Sequence, residues 1–238
     1  MSDSLSVLLD LQDHDTKADQ HRHRRATLPE RTELAAIERD LAAIDREIAG
    51  VRAERDELAR EEKRIEDEAA SIEAKVAAED KRLYSGTVTA AKELQAIQDE
   101  IAALKRRQSA LEDEALELMV QIEPLDARLA ELDARRAEID GRAQAVRARI
   151  AELEAEIDAE LAQVEAERAA LAQTVPAAML SEYESLRTRL GGVAVAKLVG
   201  GSCRGCHLQL SAVELDRIKK LPRDEIVHCE ECGRILVR

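Results

Sequence analysis

The chain contains no Phe and no Trp, and only two Tyr among 238 residues. A globule of this length normally fills its interior with aromatic bulk, so a single large core is not expected. Proline is also scarce, at four residues, and each one marks a break to be placed. No run approaches the roughly 20 apolar residues needed to span a bilayer. The opening stretch, MSDSLSVLLDLQDHD, has no basic n-region, and Asp10 and Asp13 interrupt its apolar run. No targeting signal is therefore expected, and the expected location is cytoplasmic.

Charge, by contrast, is abundant: 36% of residues are Asp, Glu, Lys or Arg. Together with Ala and Leu they give the composition of long helix or coiled coil. The net charge is −14, unevenly spread. Residues 191–238 hold eight Lys/Arg against six Asp/Glu, or +2, so the first 190 residues carry −16. A strongly acidic rod repels phosphate, which argues against nucleic-acid binding along its length.

A helical period governs residues 34–171. Alternate steps of three and four from Leu34 to Leu83 meet apolar residues at all but Arg55, Glu62 and Glu79. From Leu94 to Leu171 the same steps fail only at Gln108, Arg136, Glu160 and Glu167. A repeat near 3.5 residues implies a left-handed supercoil. Between the stripes lies Tyr84-Ser85-Gly86-Thr87-Val88-Thr89. Gly86 suits a left-handed helix end, and Thr89 suits a cap for the next helix. A connection this short requires the helices to double back, each arm reaching roughly 120 Å at 1.5 Å per residue. Two registers are open, with Leu34 opposite Ile139 or Val146.

Pro124 and Gly50 are expected to write one bend into both arms. Pro29 marks a second break, which makes the segment around Leu5, Leu8, Leu9 and Leu11 a separate helix packing near Leu171. Pro176 suits the first turn of a short helix reaching Leu190, ended by Gly191-Gly192. Residues 193–199 then alternate like a strand. Ser211 is placed to cap a helix through Lys220, and 226–228 and 235–237 read as short strands. Two domains follow: 1–175, the hairpin with its turn near 84–89, and 176–238, the short helix with the cysteine-bearing tail.

That tail holds Cys203-x2-Cys206 and, 22 residues on, Cys229-x2-Cys232. Each pair makes a knuckle whose thiolates converge, and two knuckles complete a tetrahedron for Zn²⁺. Paired disulfides are the competing reading, disfavoured in a reducing compartment. With four sulfurs no coordination position remains open, so one zinc ion folds the segment and does not catalyse. So few residues with so little apolar area need the metal to stay folded. Gly205 and Gly233 suit positive φ in the knuckles. His207 and His228 each neighbour a cysteine, either as ligand replacements or, as the plainer reading has it, as residues beside the site.

Three basic clusters invite assignment. Arg204, Lys219, Lys220 and Arg223 in the tail are candidate contacts for a partner or for phosphate, although four thiolates on zinc cancel the tail's +2. Residues 21–25 (HRHRR) are expected to pair with Glu152, Glu154 and Glu156. Lys105-Arg106-Arg107 reads as an exposed helix face. Without interleaved aromatics, base stacking is unsupported. No nucleophile–base set, phosphate-binding glycine loop or HExxH is present, so no enzyme is expected.

Three stretches carry a resemblance: LLDLQDHD, RLYSGTVTAAKELQAIQDEIAALKRRQSALEDEALELM, and GGSCRGCH…CEECGRIL. They resemble a bacterial family of coiled-coil hairpins with a C-terminal C4-type zinc ribbon. Its members include flagellar regulators and proteins that bind the alternative sigma factor of RNA polymerase or, in one case, messenger RNA. The resemblance implies a zinc role for Cys203, Cys206, Cys229 and Cys232. The fold expected is mainly α: a long antiparallel coiled-coil hairpin with a small α+β zinc ribbon. The function expected is a zinc-binding adaptor, monomer or homodimer, that presents the ribbon to a protein partner in transcription-linked regulation. Nucleic-acid binding through the ribbon is the alternative.

Overall fold

The computed structural model describes residues 4–222 and 225–238. It contains α1 (Ser4–Ala26), α2 (Pro29–Tyr84), α3 (Ala91–Ala172), α4 (Ala177–Arg189), β1 (Val195–Val199), β2 (Ser202–Cys203), α5 (Ala212–Lys220), β3 (Val227–His228) and β4 (Ile235–Val237). Contacts divide the chain into two compact units, one built from 1–33 with 146–238 and the other from 34–145.

The second unit is the doubled-back helix pair. Its buried residues fall on the apolar stripe: Ile37, Ile44, Ile48, Ile65, Ile72 and Val76 on α2, and Ile97, Ile101, Leu111, Ile122, Leu132 and Ile139 on α3. The stripe's polar interruptions keep their heads in solvent. Arg55 donates to Asp126 at 3.0 Å and Arg136 to Asp45 at 2.6 Å. These ion pairs select the second of the two registers, with Ile48 opposite Leu132. The other register would set the same partners about two turns apart.

At the turn one feature meets expectation and one differs. Gly86 has φ 74°, as a left-handed helix end requires. The first bonds of α3, however, run from the Glu93 and Leu94 N–H groups to the Ala90 carbonyl. The cap position is thus Ala90, one residue past Thr89. Ser85 organises the turn instead, donating to the Arg82 carbonyl at 2.8 Å and accepting from the Thr87 N–H at 3.3 Å. Both Gly50 and Pro124 lie inside unbroken helices. In the observed register Pro124 faces the region of Asp56, so the two breakers do not oppose one another. Lys105 and Arg107 reach across to Asp80 and Glu68. Part of that exposed cluster thus holds the arms together, each pair contributing about 0–1 kcal/mol.

The first unit gathers α1, the end of α3, α4 and the ribbon. Leu5, Leu8 and Leu11 of α1 are buried with Val175, Tyr183, Leu186, Val195, Ile235 and Val237, against Leu171 and Ala172. The separate helix expected before Pro29 therefore packs where the sequence placed it. Along its outer face, His21 and Arg24 reach Glu160, Arg22 reaches Glu165, and Arg25 reaches Asp158. Among the described residues, Glu154 is the one of the three expected acidic partners that is used, by Arg25 and Arg31; Glu152 pairs locally with Arg149. The offset follows from the packing of α1, whose leucines fix its height along α3.

Two buried polar residues of α1 tie this unit together. Gln12 donates to the Gly192 carbonyl at 2.8 Å and accepts from the Ala194 N–H at 2.7 Å. It thus satisfies backbone groups on either side of Val193, just before β1. Asp15 accepts from the Tyr183 hydroxyl at 2.6 Å and from Arg168 at 3.1 Å, and the Arg187 guanidinium stands 3.6 Å away. A buried carboxylate is tolerable because it is charge-paired and hydrogen-bonded. α4 begins after Pro176, which takes the cap position and not the first turn. It ends where the Gly192 N–H returns to the Arg187 carbonyl at 2.9 Å, with Gly191 and Gly192 both at positive φ. This is the Schellman pattern.

Gln12→Leu should cost about 2 kcal/mol, because it orphans buried backbone groups at nearly constant volume. Exposed Gln20→Leu should stay within about 0.5 kcal/mol; urea denaturation compares them. The Tyr183 hydroxyl is held far above its usual range by burial and by Asp15. A raised folded value means this contribution is complete below about pH 10 and is lost as pH rises further. Tyrosinate absorbance from Tyr183 should therefore appear only with alkaline unfolding, and Tyr183→Phe should abolish that late component.

Candidate metal centre

The ribbon is a four-stranded sheet in the order β2-β1-β4-β3. β1 pairs antiparallel with β2 and parallel with β4, and β3 pairs antiparallel with β4. The turn joining β1 to β2 is Gly200-Gly201, at φ 60° and 83°, the left-handed pair that a two-residue hairpin demands. Strand β2, missed in the sequence reading, was signalled by that dipeptide. Ser211 accepts from the Glu214 N–H at 3.1 Å and so caps α5 as expected. At the other end of α5, Arg238 donates to the Ile218 carbonyl at 2.7 Å and to that of Leu221 at 3.2 Å. A cation at a helix C-terminus answers both orphan acceptors and the dipole.

The two knuckles sit at equivalent places, Cys203 at the end of β2 and Cys229 just after β3. In each, the residue following the second cysteine donates its N–H to the first cysteine's carbonyl. His207 reaches Cys203 at 2.8 Å and Gly233 reaches Cys229 at 2.8 Å. Both residues adopt positive φ, 64° and 70°. The left-handed position in the first knuckle therefore belongs to His207 and not to Gly205. Gly205 is required for a different reason. A Cβ there would meet Arg234 Cδ at 2.6 Å and Ala196 Cβ at 3.0 Å.

All four sulfurs lie within 4.8 Å of one another. Cys203 and Cys232 are separated by 3.9 Å, and Cys206 and Cys229 by 3.8 Å. Four sulfurs about 2.3 Å from one zinc form a tetrahedron with edges of about 3.8 Å. A disulfide would bring two of them to about 2 Å, and all four cysteines are free. Burial pushes the Cys229 thiol up to about 12. Burial also works against the Cys232 thiolate, but hydrogen bonds from the Arg234 backbone and neighbouring groups outweigh it and hold that thiol near 7. Four clustered sulfurs cannot all ionise unaided, whereas a divalent cation supplies the missing charge. The donor set fits one structural zinc ion.

Neither histidine joins the cluster. His207 is exposed, and His228 Nε2 lies 3.0 Å from Glu182 on α4. Among the basic candidates, Arg204 and Lys219 are exposed without an acidic partner among the described residues, while Lys220 is paired with Asp216 at 2.6 Å. Arg223 lies outside the described residues.

The arrangement defines a helical hairpin joined to a four-cysteine zinc ribbon. The chain belongs to the family of the CT398-like coiled coil hairpin domain, whose model matches residues 11–191, and a C4-type zinc ribbon domain matches residues 202–236. It is 32% identical over 159 residues to the uncharacterized protein Rv2229c of Mycobacterium tuberculosis, a match spanning 67% of this chain and 64% of that protein. A solved structure from Mycobacterium smegmatis is 26% identical, with a TM-score of 0.86 over 99% of this chain and 97% of that one. CT398 from Chlamydia trachomatis, at 23% identity, shares the fold with a TM-score of 0.69 over the same shares. No helix among the described residues is long and apolar enough to cross a membrane.

Gently purified protein should contain one zinc per chain by elemental analysis. Chelation should expose the ribbon to protease while most helical ellipticity persists. Cys229→Ser should weaken zinc binding by more than about 100-fold, since groups outside a ligand set already contribute about 10- to 100-fold. At fixed free zinc, Gly233→Ala should cost about 1–2 kcal/mol, and His207→Gly should be neutral or gain up to about 1 kcal/mol. Thermal melts would measure both.

Proposed function

We propose that the protein is a non-enzymatic cytoplasmic adaptor whose zinc ribbon is presented for protein–protein interaction in transcription-linked regulation. The closed four-sulfur centre is the observation that carries this reading, since it leaves the metal no position for substrate or water. The ribbon is also fixed to helices through Gln12, the α1 leucines and the His228–Glu182 contact, which suits a rigidly offered surface. The resemblance to sigma-factor-binding members supports a transcription factor of that kind as the partner.

A second reading, nucleic-acid binding, draws on exposed Arg204 and Lys219, with Lys220 and Arg223 beside them in sequence. Titration of RNA and duplex DNA against salt separates the two. The adaptor reading expects no binding near physiological salt. Tight, salt-steep binding that Arg204→Glu with Lys219→Glu abolishes would replace it with the second. Proteins co-purified with the full chain should be lost from that same double variant if the ribbon is the contact surface.

A further inference from the structure

Three large apolar residues of α3 lie off the stripe that joins the arms. Leu116 is 57% exposed, Met119 50% and Val120 69%. Their spacing is i, i+3, i+4, which sets them along one outward face. They are continuous with two open grooves between the arms, of ≈ 470 and ≈ 800 Å³, both lined by Leu116 and Met119. Opposite them α2 offers the small residues Ala69 and Ala70, so the floor is low enough for another element's side chains. Pro124 has no N–H for the Val120 carbonyl, leaving an acceptor on the same face.

The rim is acidic. Glu73 and Glu112 border one groove, and Glu62 and Glu123 the other. None of the four has a cationic partner among the described residues, and Arg55, the one cation in the lining, is already held by Asp126. From Gln108 to Glu123 the face runs about 22 Å, or four helical turns at 1.5 Å per residue.

We infer that this face of the hairpin docks a basic amphipathic helix of a protein partner, its apolar side on Leu116, Met119 and Val120 and its Lys/Arg flanks against the four carboxylates. A second copy of the chain would bring carboxylates against carboxylates, and phosphate of nucleic acid or of a lipid surface would meet the same repulsion. A helix with four turns of i, i+3, i+4, i+7 anchors matches both the length and the charge. The inference extends the adaptor reading to a surface in the unit that does not contain the ribbon.

The test uses the full zinc-loaded chain and a synthetic 18-residue peptide with leucines at helical spacing and lysines on both flanks. A peptide of the same composition in scrambled order is the control. The designed peptide should bind at least about tenfold more tightly than the scrambled one. Leu116→Gln with Val120→Gln should remove that difference without changing the melting temperature, both residues being exposed. Glu73→Gln with Glu123→Gln should weaken binding and flatten its salt dependence. Equal binding of the two peptides, or indifference to Leu116→Gln with Val120→Gln, would overturn the inference. So would concentration-dependent dimerisation that the same double variant abolishes, which would assign the face to a second copy. Neither result would touch the adaptor reading, which answers to Arg204 and Lys219.

Discussion

Four thiolates drawn to within hydrogen-bond-like distances of each other repel, and only a cation at their centre turns that repulsion into cohesion. The rest of the ribbon is arranged around this condition. Its core holds Ala196, Leu210, Ile218, Val227 and Leu236 beside two of the cysteines, with no aromatic side chain. The sheet strands are two to five residues long. So small an apolar interior contributes little free energy of its own, and a metal bound by four residues from both halves of the sheet adds its binding free energy to that of folding.

The helical parts meet their own condition in the opposite way, by length instead of by a central ion. Isolated side-chain contacts of Ile, Leu and Val recur along α2 and α3, each burying modest area, and the surface charges pair across the arms with little net gain apiece. The apolar stripe therefore holds the arms together, while long polar residues such as Arg55 and Arg136, lying over it and reaching acceptors at the edge, mark which of its two registers is used. The same logic governs α1. Its leucines set its position, and its basic residues then take whichever carboxylates of α3 come within reach.

Much of this was legible because periodicity and cysteine spacing are local patterns with global consequences. The hairpin and the four ligands follow from spacing, and the turn at Gly86 and the separate first helix follow from a glycine and a proline that interrupt it. What escaped depended on groups far apart in sequence. Glu154 was foreseen as a partner of the basic run, but Glu160 and Glu165 were not, because the height of α1 on α3 is a tertiary outcome. Gln12 carries no local sign that its amide will close backbone groups at residues 192 and 194. The left-handed residue of the first knuckle falls on His207, the counterpart of Gly233 directly after the second cysteine, where composition pointed to Gly205; Gly205 itself is needed for the close approach of Arg234 and Ala196, which no spacing rule encodes. The outward Leu116, Met119 and Val120 were hidden among many apolar residues, distinguishable only once the inward face was known.

The unit containing the ribbon is assembled from two stretches with the whole of the hairpin intervening. Leu5 and Leu8 share a cluster with Ile235 and Val237, about as non-local a pairing as this chain permits. Contacts of that separation form slowly when the intervening chain is loose, because the ends must find each other by diffusion. Helix pairing between neighbouring segments is local and fast. Topology favours an order in which the arms zip from the turn, the loop to be closed shrinks as they do, and the docking of α1 onto the zinc-bearing sheet, whose own strands all lie between Val195 and Val237, comes last.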